Sequence, residues 1–249
     1  EMRDLHEDRR SETVTQQFHL TAMTSRPIIK VCGMRETENI REVEALGIDW
    51  LGMIFWPKSK RYVATPPSYL PTDVKKVGVF VDASLEDICQ HIHNYQLDII
   101  QLHGSEHPEF LRDLRNTCGS VSTIKIIKAF NIATVDDLLL TESYAGLADY
   151  FLFDTKGKMV GGNGEQFDWS ILVHYHGTTP YILSGGIGPK DAERVYSFLH
   201  DNHVSDSFLE HGKLNIGHCI GIDLNSRFET VPGLKDINKL KTFVEEIRK

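Results

Sequence analysis

From Ile28 onward, short apolar runs alternate with amphipathic stretches along the chain. The runs are Ile28–Cys32, Trp50–Phe55, Lys76–Val81, Asp98–Leu102, Thr123–Phe130, Tyr150–Asp154, Tyr181–Leu183 and Ile220–Leu224. Each is short enough for a strand, and most read as continuous apolar segments, as strands covered on both faces do. The stretches between them have helical spacing. In Glu36–Leu46, Ile40, Val43 and Leu46 fall on one side and Gly47 supplies a stop. Ser84 is placed to cap a helix reaching Tyr95, and a further helix runs from Ser105 or His107 to Arg115. Thr134–Leu140 and Asp168–Tyr175 are expected to be helical, and Pro189 opens a helix at a position that favours proline. Leu234–Ile247 reads as a closing amphipathic helix. A short helix around Ser68 is expected too, kept brief by Pro66-Pro67 and Pro71. Eight strand–helix units predict a parallel sheet closed into a single α/β (β/α)8 (TIM) barrel. The length of 249 residues fits one such domain of about 250 residues.

A barrel of this kind gathers the carboxyl ends of all its strands on one face. Three runs stop there on reactive or polar residues: Cys32-Gly33-Met34, Asp154-Thr155, and Asp223-Leu224-Asn225-Ser226. A cysteine is most often a small buried hydrophobe. At the end of the first strand, with Gly33 leaving room for a ligand, the Cys32 thiol is instead a candidate general base. Asp154 is equally readable as a cap for the following loop or as an acid whose pKa is raised by the aromatic walls of Tyr150-Phe151-Leu152-Phe153. Arg61, in the loop Lys58-Ser59-Lys60-Arg61-Tyr62, reads by itself as part of a solvated basic loop. A guanidinium there has the fork geometry to hold a substrate carboxylate. The strongest local signal is the pair of turns after strands seven and eight, Ser184-Gly185-Gly186 and Asn225-Ser226. Loops at these positions commonly seat a phosphate on backbone N–H groups. Gly161-Gly162-Asn163-Gly164 superficially resembles a dinucleotide fingerprint but lacks its strand–turn–helix spacing, and a flexible lid fits it better.

Composition narrows the classes. The formal net charge of -8 and the absence of a basic block argue against a nucleic-acid binder. No apolar run approaches the ~20 residues of a membrane span. Cys32, Cys89, Cys118 and Cys219 are even in number but show no zinc or disulfide-staple spacing, so free thiols in a reducing cytoplasm are expected, with Cys89, Cys118 and Cys219 structural. Residues 1–26 are polar and charged, lack the apolar centre of a secretory signal and are too acidic for a transit peptide. They are expected to be a disordered or non-native extension ahead of a catalytic barrel over 27–249. The segment 200–218 is too long for a simple link and is expected to be an insertion on the barrel side away from the active face.

Taken together the strings resemble the phosphoribosylanthranilate isomerase family of tryptophan biosynthesis. The ordered set is Lys30-Val31-Cys32-Gly33, Ser59-Lys60-Arg61-Tyr62, Val77-Gly78-Val79-Phe80-Val81, Gln101-Leu102-His103-Gly104, Phe153-Asp154-Thr155, Gly161-Gly162-Asn163-Gly164 with Phe167-Asp168-Trp169, Leu183-Ser184-Gly185-Gly186-Ile187, and Gly221-Ile222-Asp223 with Glu229. The resemblance implies an Amadori rearrangement of N-(5-phosphoribosyl)anthranilate to 1-(2-carboxyphenylamino)-1-deoxyribulose 5-phosphate. In its terms Asp154 protonates the furanose ring oxygen, Cys32 removes the C2 proton, and Arg61 holds the anthranilate carboxylate. Gly185, Gly186, Asn225 and Ser226 seat the phosphate, and His103 and Gly162 are further substrate-binding positions. It implies no metal and no cofactor, a small phosphorylated substrate, and a monomer or homodimer without nucleic-acid or membrane partners. Arg227 stands where the family often has glycine. Two other readings compete: the related histidine-pathway isomerase, which has aspartate where this chain has Cys32, and a barrel that binds phosphosugars without catalysis, in which the acid–base pair would be idle.

Overall fold

A computed structural model describes residues 26–117, 124–155, 169–201 and 219–249. Eight parallel strands close into a barrel in sequence order: β1 (Ile28–Cys32), β2 (Trp50–Ile54), β3 (Lys75–Phe80), β4 (Ile99–Leu102), β5 (Lys125–Asn131), β6 (Tyr150–Asp154), β7 (Tyr181–Ser184) and β8 (Cys219–Leu224). The main helices packed outside are α1 (Thr37–Glu44), α2 (Leu85–Tyr95), α3 (Pro108–Thr117), α4 (Val135–Leu139), α5 (Ala192–Asp201) and α6 (Ile237–Ile247). Alternation along each strand sends one set of side chains into the barrel and the other toward the helices. Trp50, Val77, Val79, Ile99, Leu152 and Ile182 fill the interior with Cys32. The outward residues, such as Val31, Phe80, Phe151 and Phe153, join the larger layer beneath the helices.

Several local expectations change. There is no helix around Ser68. Tyr69 Oη and the N–H groups of Thr72 and Asp73 instead donate to the Glu44 carboxylate at 2.5, 2.8 and 2.8 Å, so a side chain from α1 organises this proline-broken loop. The segment after β6 enters the described residues as a 3-10 helix, Trp169–His174, rather than an α-helix. The closing helix starts at Ile237, not Leu234, because Asp236 caps it by accepting from Lys239 N at 3.1 Å. Leu234–Lys235 forms β10, which pairs antiparallel with β9 (Glu229–Val231). Cys89 on α2 is disulfide-bonded, against the expectation of free thiols, whereas Cys32 and Cys219 are free. Sequence spacing carries no information about which cysteines meet in space. Cys118, the glycine-rich stretch with Gly162, residues 1–25 and all but the first two residues of 200–218 lie outside the described residues. Among the described residues no helix is long and apolar enough to cross a membrane.

Candidate active site

The mouth formed by the strands' carboxyl ends carries two connected groups of polar side chains. The first centres on Cys32. Its Sγ lies against β2 where that strand has Gly52; a Cβ there would sit 2.8 Å from the sulfur, so only glycine leaves the thiol its place. Gly33 follows with φ +82°, a backbone state that favours glycine, and a Cβ on it would approach Arg61 Cδ to 2.6 Å and Asn225 Oδ1 to 2.8 Å. The missing side chain thus lets Arg61 and Asn225 close over the end of β1. Gly33→Ala is expected to lower stability by about 1–3 kcal/mol and to raise KM by displacing both side chains. Denaturant unfolding and steady-state kinetics check this, and unchanged values for both would show that the crowding is relieved at no cost.

Arg61 is not a solvated loop residue. Its Nε donates to both Glu229 oxygens, at 2.8 and 3.0 Å, and its Nη2 to Oε2 at 2.5 Å. Glu229 also accepts from Lys235 Nζ at 2.7 Å and Gly233 N at 3.0 Å. Burial works against the charged carboxylate, but the hydrogen bonds from Arg61 and Lys235 prevail and hold the Glu229 pKa down at about 2. Lys235 itself is delivered from outside the barrel. Buried Asn39 on α1 grips its backbone both ways, donating to Lys235 O at 3.0 Å and accepting from Lys235 N at 2.7 Å. The ammonium then reaches Glu229 and Asn225 Oδ1, the latter at 3.0 Å. Burial lowers the Lys235 pKa, only partly opposed by Glu229.

The second group centres on Asp154, the inward-facing last residue of β6. Its strand neighbours Phe151 and Phe153 point away, into the layer under the helices, and Phe153 packs on Tyr175 and Tyr181. The expected aromatic walls are therefore on the wrong face, a direct consequence of strand alternation. What stands beside Asp154 is His103, with Nε2 3.8 Å from Oδ2 and Nδ1 3.0 Å from Gln101 Nε2. The loop carrying His103 is pinned beneath by a buried pair: Lys128 Nζ lies 3.0 Å from Glu106 Oε2 and 2.8 Å from Gly104 O. On the other side Thr155 donates to Ser184 O through both N–H and Oγ1, each at 2.9 Å. Gly185 follows with φ +100°, tight against the Thr155 backbone.

Asp223 joins the two groups. It lies 2.9 Å from Lys30 Nζ on β1 and accepts from Ser184 Oγ at 3.4 Å. After β8 the chain turns at Asn225 into a single 3-10 turn, Ser226–Phe228, beside the Gly185–Gly188 loop; a Cβ on Gly188 would lie 3.3 Å from Arg227 Cβ. Gly186, Ser226 and Arg227 are exposed at this rim, and Gly185 and Asn225 are half-buried. The structure thus brings Cys32, Arg61, His103, Asp154, Gly185, Gly186, Asn225 and Ser226 to one mouth. Lys30, Asp223 and Lys235 had no expected role. For the first two a signal existed: a lone charge at an inward position of an otherwise apolar strand.

Comparison with known proteins gives the same placement. The model of the N-(5'-phosphoribosyl)anthranilate isomerase family matches residues 29–246. A curated relative of that name from Parabacteroides distasonis is 48% identical over 226 residues, which is 88% of this chain and 93% of the relative. One from Phocaeicola vulgatus is 43% identical over 221 residues, covering 89% and 98%. A solved phosphoribosyl anthranilate isomerase from Thermotoga maritima superposes with a TM-score of 0.67 at 29% identity, covering 89% of this chain and 98% of that one. A second solved isomerase of this name, in complex with reduced 1-(o-carboxyphenylamino)-1-deoxyribulose 5-phosphate, has a TM-score of 0.65 at 26% identity, with the same coverage. A match that runs from β1 into the last helix, on a barrel whose mouth collects the residues described above, means that this chain belongs to the N-(5'-phosphoribosyl)anthranilate isomerase family.

Proposed function

We propose that this chain catalyses the Amadori rearrangement of N-(5'-phosphoribosyl)anthranilate to 1-(o-carboxyphenylamino)-1-deoxyribulose 5-phosphate, a step of tryptophan biosynthesis. The observation that carries the reading is the inward placement of Cys32 and Asp154 at the mouth ends of β1 and β6, with Arg61 fixed at the rim by Glu229. Asp154, in its acid form, gives its proton to the furanose ring oxygen. The C1–O bond breaks, and the nitrogen lone pair makes the C1=N bond of a Schiff base. The Cys32 thiolate takes the C2 proton, the C–H electron pair becomes a C1=C2 bond, and the C1=N pair returns to nitrogen. The resulting enolamine tautomerises to the ketone by moving the enol proton to C1. This is an internal proton transfer without net oxidation, and side-chain acid and base groups suffice for it.

Arg61 orients the anthranilate carboxylate through the N–H groups that Glu229 leaves free, and Glu229 fixes the plane of the fork. His103 steadies Asp154. Gly185, Gly186, Asn225 and Ser226 seat the phosphate, and Gly162, outside the described residues, is a further substrate-binding position. The barrel over 27–249 is the catalytic unit, working in the cytoplasm. It acts as a monomer or homodimer; the isomerase from Thermotoga maritima is dimeric, and monomers generated from it have been solved. The test is loss of anthranilate-type fluorescence when purified protein meets phosphoribosylanthranilate generated in situ. Protein-dependent loss supports the reading; none from folded protein overturns it and favours the histidine-pathway substrate.

A further inference from the structure

Lys30 and Asp223 form a fully interior ion pair. The side chains are 0% and 7% exposed, Nζ–Oδ1 is 2.9 Å, and the residues are register partners on β1 and β8. Inside a barrel, such a pair is poor value for stability alone, since apolar residues of similar volume commonly serve as well or better. Its position suggests another use. Lys30 precedes Cys32 by two residues on β1, so both side chains enter the barrel on the same line, Lys30 one layer beneath the thiol. The ammonium is held by Asp223 at 2.9 Å and favours the charged form of the sulfur. Asp223 does not bond the sulfur; its second oxygen is bound by Ser184 Oγ.

We propose that Lys30 is a positioning residue for the base: its ammonium, tethered by Asp223 one layer beneath the sulfur, stabilises the Cys32 thiolate that takes the C2 proton. This rests on the reading of Cys32 as the base of the isomerisation. The charged groups around the sulfur are Lys30 on β1, Asp223 on β8, Lys235 on β10 and Arg61 after β2; Gly52, facing it on β2, brings no charge. Burial is the largest influence on Cys32 and leaves its pKa raised overall. Lys30 is the largest pull in the other direction, and Asp223 opposes it. Lys30 remains a cation despite burial because Asp223 and the thiol both favour its charge, raising its pKa. Without Lys30 the Cys32 pKa would rise further, and the loss would fall on the proton-abstraction step rather than on binding.

The test is a titration of Cys32 in the substrate-free protein, read as the thiolate absorbance difference between each protein and its Cys32→Ser counterpart. Lys30→Met alone leaves Asp223 an unpaired buried carboxylate, so Lys30→Met/Asp223→Asn, which leaves neither charge behind, carries the decision. In the double variant the midpoint is expected to rise, though by less than loss of the ammonium alone would raise it, because Asp223, the weaker and opposing influence, goes with it; folding is followed by circular dichroism. Its kcat is expected to fall at neutral pH with KM nearly unchanged, and the deficit to shrink as pH rises. A purely structural pair predicts the parent midpoint and a deficit independent of pH, and that result would overturn the proposal. Absence of isomerase turnover in the parent protein would count against the proposed function, while the titration would still report on Lys30.

Discussion

Replacing Cys32 with serine is expected to lower kcat by roughly 10²–10⁴-fold, the range that a positioned general base contributes, while leaving product affinity nearly intact. Serine occupies almost the same volume beside Gly52, so the packing at the end of β1 survives. Its hydroxyl does not ionise at neutral pH, however, so nothing takes the C2 proton. Asp154→Asn removes the proton donor for ring opening and is expected to cost a similar factor. The two losses differ in kind: the cysteine variant still opens the ring, whereas the asparagine variant fails before a Schiff base forms. Steady-state fluorescence with substrate made in situ, together with product binding, checks both. Full turnover in Cys32→Ser would remove the thiol from the mechanism; weakened product binding matching the lost rate would recast Cys32 as a binding residue.

Glu229→Gln is expected to destabilise the fold by on the order of 2 kcal/mol at neutral pH, after allowing for screening at the solvent edge of the site. The carboxylate anchors the Arg61 fork and the Lys235 ammonium, and the latter side chain is 0% exposed. The sign follows from the depressed pKa. Glu229 sits at about 2 in the folded protein against an ordinary value of 4.5. The unfolded chain therefore binds its proton first as pH falls, and the contribution, complete above the ordinary value, drains away toward the folded one. The parent should lose stability between roughly pH 5 and 2 with a component absent from Glu229→Gln. Denaturant midpoints for both proteins across that window measure it. Parallel curves would mean that Glu229 adds no pH-linked stability. The same variant should raise KM, because an unanchored guanidinium presents its fork less often.

The barrel was legible because its signals are local. Apolar runs of strand length, separated by helical spacing with caps and glycine stops, repeat eight times, and such periodicity survives whatever the neighbours are. Ser84 shows how short the range is: it accepts from Asp87 N at 3.1 Å, three residues on. The expected helix at Ser68 fails for a long-range reason, since its backbone donors go to side chains of α1: Ser68 N to Thr37 Oγ1, and Thr72 N and Asp73 N to Glu44. The closing helix starts later than its apolar spacing from Leu234 suggests, because Leu234 and Lys235 belong to a hairpin turned by Gly233 at φ +88° and cut off by the Asp236 cap.

The sequence by itself determined the strand–helix alternation and hence the barrel, and it placed Cys32, Asp154, Gly185, Gly186, Asn225 and Ser226 at strand ends facing one mouth. Strand period and direction require nothing more. Only the tertiary structure decided which charges meet. Arg61 and Glu229 are 168 residues apart, and Lys30 and Asp223 are 193 apart. It also turned Phe151 and Phe153 away from Asp154, set His103 beside it, and engaged Cys89 in a disulfide. Those partnerships arise from the closure of β1 on β8 and from loops folding over the mouth, and the electrostatics of a buried thiol or carboxylate depend on such neighbours rather than on the residues beside it in the chain.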